Sequence, residues 1–149
     1  MTMRCCGWLL LGALVAVCGC GDGRPRRVPV AGQVLVDGQP LTAGFVRVIP
    51  NNARAATGQI DRDGRFRLST FDGDDGCVLG THKVEIIARK SQGGTALVWL
   101  TPVKYQDAAT SSLTIDVQRP LEDWKLELTW DGKEPLVEQT FSEGDKIVN

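Results

Sequence analysis

Histidine is nearly missing from this chain: His82 is the one imidazole in 149 residues. A zinc site made of several histidines is thereby excluded, and any serine-histidine-acid triad would have to use that one residue. Cysteine is scarce where it would matter for stability. Of the five cysteines, Cys5, Cys6, Cys18 and Cys20 sit in the first twenty residues, leaving only Cys77 in the body of the chain. One thiol makes no internal disulfide framework, so packing must hold the fold. No segment has the 3.6-residue apolar period of an amphipathic helix. No basic excess is present either, and with it goes the usual footprint of nucleic-acid binding.

What is there begins with an export signal. Arg4 is the first charge, Trp8 to Val17 is apolar apart from Gly12, and polarity returns at Asp22. A membrane-spanning helix needs about 20 apolar residues. Here the run is ten residues, or sixteen with its flanking cysteines and glycines, which fits a cleaved signal rather than a span. The stretch Val17-Cys18-Gly19-Cys20 resembles the bacterial lipobox, in which an apolar residue and then a small one precede an obligatory cysteine. Cys18 follows β-branched Val17, which fits a narrow peptidase subsite poorly, so Cys20 is the better acceptor.

The resemblance implies a mature chain that starts at a lipidated Cys20 and is held at the membrane through its N-terminal lipid. Two or three acyl chains give stable anchoring where one gives only reversible binding. Residues 20–29 then read as a flexible tether, rich in glycine, proline and arginine. Arg24, Arg26 and Arg27 could reach anionic headgroups, though a solvated linker is the simpler reading. Loss of residues 1–19 removes Arg4, leaving 16 basic against 18 acidic groups, a net charge of −2.

The remaining 130 residues fit one domain, taken as 30–132 with a tail at 133–149. Strict alternation marks strands at Arg65–Thr70, Ser112–Gln118 and Trp124–Trp130, where Leu113, Ile115 and Val117 oppose Thr114 and Asp116. Val30–Val36, Phe45–Ile49, Ala56–Ile60 and His82–Ala88 are rich in β-branched residues and bounded by turn formers. Seven strands without crossover helices predict an all-β, Greek-key β-sandwich, transthyretin-like or immunoglobulin-like. Thr95–Leu100 could add a short edge strand, and Leu136–Phe141 an eighth strand.

The strand-turn series Val30–Leu41, Ala43–Pro50, Ala56–Leu68, Gly80–Val84, Pro102–Tyr105 and Thr110–Ile115 resembles small bacterial lipoproteins of planctomycete type. These carry a carboxypeptidase regulatory-like, transthyretin-like β-sandwich, and the likeness covers most of residues 28–130. It implies an exported, envelope-located accessory module with no catalytic residues and no cofactor. His82 departs from the pattern, standing where such proteins usually carry tyrosine; its shared parity with Val84, Ile86 and Ala88 favours packing, with general-base use the alternative.

The candidate sites are few. Asp72, Asp74 and Asp75, with Asp61 and Asp63 in a nearby turn, could offer oxygens to calcium, but the loop is shorter than an EF-hand and lacks the closing glutamate. Turn chemistry accounts for them without a metal. Trp124 and Trp130 could stack on a sugar or a partner, yet they share parity with Leu126 and Leu128, which favours core. Cys77 and Trp99 read as packing residues. A lysine–asparagine isopeptide is disfavoured because the first strand has no lysine and the only asparagines are Asn51, Asn52 and Asn149. The expected function is a non-enzymatic structural or protein-interaction module at the cell envelope. The alternative is a carbohydrate- or small-ligand-binding module, and the expected partner is another envelope protein or a polysaccharide, not nucleic acid.

Overall fold

A computed structural model describes residues 23–94, 96–133 and 135–139. Cys20 and the proposed signal lie outside the described residues. The described chain is all-β, with one turn of 3-10 helix at Val103–Gln106. Its strands are β1 (Arg27–Val28), β2 (Val30–Val36), β3 (Gln39–Pro40), β4 (Gly44–Ile49) and β5 (Ala56–Ile60). They continue with β6 (Arg65–Arg67), β7 (Cys77–Val78), β8 (Gly80–Ile87), β9 (Arg89–Gln92) and β10 (Ala96–Trp99). The last three are β11 (Leu113–Val117), β12 (Leu121–Leu128) and β13 (Val137–Gln139).

All seven expected strands are present, but they are not the whole count. The additions β1, β3, β7 and β9 are two to four residues long, too short for alternation to register. Two further expectations need correction. The sequence reads as tether through Pro29, yet Arg27 and Val28 pair with Val78 and Cys77, and Val28 is buried. Alternate apolar residues Val28 and Val30 flank Pro29, so the chain joins the core before the proline. Ala96–Trp99 is not an edge either: β10 is the middle strand of a sheet ordered β13-β10-β9.

One main sheet runs β11-β8-β4-β5, wholly antiparallel. The other is built on β2, which pairs with β12, β3 and β6. The β2–β12 pair is parallel, Val30 opposite Leu121 through Val36 opposite Leu128. A parallel pair needs a long crossover; here nearly the whole domain lies between the two strands and serves as one. The sheets are joined where the chain leaves β6. Arg67 pairs with Ala31 of β2, but Ser69 bridges Thr57 of β5, and Leu68 at that switch is fully buried.

The inward faces of both sheets share one core. Val34, Val46, Val48, Leu68, Val84, Ile86 and Val117 are completely buried within it. Each such side chain contributes about 1.5–3 kcal/mol by leaving water, as an upper estimate. Glu85 breaks the alternation of β8: it is buried although its neighbours Val84 and Ile86 face the core. Its carboxylate accepts a hydrogen bond from Arg47 at 2.5 Å, directly across the strand pair.

Strand directions give the domain two distinct ends. β1, the start of β2, β7, the start of β8, the end of β11 and the start of β12 lie together, since Arg27 pairs with Val78 and Leu121 donates to the Pro29 carbonyl. β2 and β12 then run side by side to the other end, about 20 Å away at the usual strand rise. There Asp37 donates to the Leu128 carbonyl, and Leu100 donates to that of Ala88 just past β8. The chain therefore enters at one end, and the β13-β10-β9 sheet sits at the other.

Candidate functional site

His82 projects from β8 into the core, its Nε2–H donating to the Val78 carbonyl at 2.9 Å. That contact fixes the tautomer and gives the imidazole the packing position expected for it. Cys77 is fully buried on β7, opposite Val28 of β1, and burial pushes its thiol up to about 11, which suppresses the reactive thiolate. Trp99 is buried, with the Arg89 guanidinium 5.6 Å from its ring.

The three aspartates of the 71–76 loop are turned to different tasks. Asp75 accepts backbone N–H bonds from Thr70 at 2.6 Å, from Phe71 and from Asp72, closing the loop on itself. Burial alone would raise its pKa, but those N–H groups and Arg27 outweigh it and hold the carboxyl below its ordinary value. Asp72 points outward to Arg24 at 2.7 Å. Asp74 is exposed and takes up a left-handed backbone, φ 59°. In the neighbouring turn, Asp61 accepts from the Asp63 and Arg65 N–H groups, the side-chain turn chemistry typical of aspartate. Among the described residues no three acidic, histidine or cysteine side chains converge on one point.

The two tryptophans part company. Trp124 lies on β12, half-buried against the core, its ring edge-on to Phe66 at 5.8 Å. Trp130 lies past the strand end, tied to Asp37 by a 3.4 Å N–H bond and half-exposed between two hollows. One hollow, about 350 Å³, is walled by Pro102, Val103, Trp130 and Leu136, with Lys104 and Asp131 paired at 2.6 Å on its rim. That hydrogen bond to Asp131 raises the Lys104 pKa. The other hollow, about 250 Å³, lies towards Pro40, Leu41 and Leu100. Val103, Leu136 and Val137 are all exposed, so apolar surface gathers around Trp130 at the end away from the chain entry.

A charged hollow of about 360 Å³ overlies β5 and β6, where Arg65 and Arg67 face Asp74 and Glu122. Opposite charges there largely answer one another.

A further cluster was not foreseen from the sequence. Phe71 carries three guanidinium groups around its ring: Arg24 at 4.7 Å, Arg27 at 4.8 Å and Arg54 at 5.4 Å. Arg54 comes from the loop before β5, far from the other two in sequence, and no local pattern announces it.

Comparison of the chain with protein-family models, with curated proteins and with solved structures gave no match.

Proposed function

We propose that this chain is an exported lipoprotein, acylated at Cys20, whose β domain is a non-enzymatic interaction module at the cell envelope. We take the domain to be a Greek-key β-sandwich of the transthyretin-like kind. The single observation that carries the reading is the separation of its ends. Arg24 lies over Phe71 where the chain joins the domain, while exposed Val103, Leu136 and Val137 and half-exposed Trp130 gather about 20 Å off, at the other end of β2 and β12. A domain held at one end and apolar at the other suits presentation of the far end to a partner. The inward imidazole of His82 supports a role without catalysis. A photo-crosslinking residue at Val103 or Leu136 in growing cells is expected to capture a discrete envelope component. The same residue at Lys125, exposed midway along β12, should capture none, and equal capture from both positions overturns the reading.

A second reading has an observation of its own. Trp130, flanked by apolar walls and a lysine–aspartate rim, has the layout that stacks on a sugar ring and binds its hydroxyls. Saturable fluorescence change on titration with envelope polysaccharide, lost in Trp130→Ala, would select it over a protein partner.

A further inference from the structure

The end of the domain where the chain enters gathers a cluster of arginines. Arg24, Arg26 and Arg54 are exposed there, and Arg27 is largely buried. Arg119, also exposed, stands in the turn from β11 to β12, whose flanking residues Val117 and Leu121 lie opposite Gly80 and Val30. These five arginines outnumber the acids of the 71–76 loop, Asp72, Asp74 and Asp75, while Asp116, Glu122 and Asp123 stand on the adjoining strand ends of β11 and β12. Asp72 and Asp75 each hold one arginine, Arg24 and Arg27, and Phe71 is the ring on which Arg24, Arg27 and Arg54 meet. Leu79 adds an exposed apolar side chain at the same end.

We propose that this end lies against the bilayer and that Arg24, Arg26, Arg54 and Arg119 take the phosphates of anionic phospholipid headgroups. The inference rests on the reading of Cys20 as the acylated residue. Four residue steps separate Cys20 from Arg24, so even a fully extended chain spans only about 14 Å. A lipidated Cys20 thus holds Arg24 within roughly two screening lengths of the headgroups. Guanidinium is weakly hydrated and presents paired N–H donors that match phosphate oxygens. Stacking on Phe71 limits its freedom without consuming those in-plane donors.

The test uses the full chain purified from membranes and mixed with two kinds of vesicle, phosphatidylcholine alone and phosphatidylcholine with phosphatidylglycerol. Flotation reports attachment. Phenylglyoxal modification, read peptide by peptide in a mass spectrometer, reports each arginine. Both vesicles should carry the protein. Arg24, Arg26, Arg54 and Arg119 should react roughly threefold more slowly on the anionic vesicle, an effect erased by high salt, as expected of screened surface charge. Arg62 and Arg89, at the far end, should react equally on both. Flotation with both vesicles and identical footprints overturns the headgroup contact and leaves the anchor standing. Flotation with anionic vesicles only, with those four arginines protected, overturns the anchor and leaves the contact. Flotation with neither overturns both.

Discussion

Arg27 Nε and Asp75 Oδ2 stand 2.9 Å apart across the seam where the entering chain meets the 71–76 loop. The pair is close in distance but not aligned as a hydrogen bond, so its strength is mainly Coulombic. It fastens β1 to the loop whose backbone Asp75 also organises. Strand β1 is therefore held by charge as well as by pairing with β7.

Asp75→Ala should lower stability by about 2 kcal/mol at pH 7, since three backbone donors lose their acceptor. The folded pKa lies below the unfolded one. The contribution is thus complete above the unfolded value, near pH 4, and fades as pH falls through the folded value. Urea midpoints of wild type and variant should differ clearly at pH 7 and converge towards pH 2. A gap that persists undiminished in acid contradicts this.

Gly76 and Gly73 form a matched pair in the same loop. Gly76 has φ +83°, and a Cβ there would lie 1.8 Å from the Val28 carbonyl oxygen, whereas a Cβ on Gly73 meets nothing within 4 Å. Gly76→Ala should cost about 3 kcal/mol or more and release β1, while Gly73→Ala should stay within about 1 kcal/mol of wild type. Amide exchange at Val28 and Val78 reads the release directly.

Arg47→Met strands the buried Glu85 carboxylate and should cost about 1–3 kcal/mol by chemical denaturation. Because Arg47 is itself substantially exposed, the lower half of that range is expected. Adding Glu85→Leu to this variant should recover much of the loss, and no recovery would mean that the pair is not the cause.

Trp124→Ala should destabilise the domain by about 3 kcal/mol, having lost its packing on Phe66 and the core. Trp130→Ala should cost under about 1.5 kcal/mol yet abolish partner capture at the far end. In single-tryptophan variants acrylamide should quench Trp130 more than Trp124. The reverse order would return Trp130 to the core.

Much of this architecture is legible because alternation survives folding: Leu113, Ile115 and Val117 share a face, as do Leu126 and Leu128. Glu85 escapes that rule because an inward neighbour on each side and an arginine across the strand let a charge be buried, and nothing local reveals Arg47 as the partner. Two-residue strands such as β1 and β7 carry no period at all. Trp130 has the parity of Leu128, but the strand ends before it, and only the three-dimensional course of Pro102, Val103 and Leu136 shapes its hollow. The arginines around Phe71 come from segments about thirty residues apart, and strand order alone brings them together. Which end the chain enters, and hence which end it presents, follows from the direction of β2 and its parallel partner β12, a relation invisible to any pattern within one strand.

The most direct test of the account is the mass of the N-terminal peptide of the native protein, isolated from cells and digested. Attachment through acylated Cys20 predicts a peptide that begins at Cys20 and carries the mass of a diacylglyceryl group. A peptide that begins elsewhere, or one that holds Cys20 as a plain thiol, would contradict it.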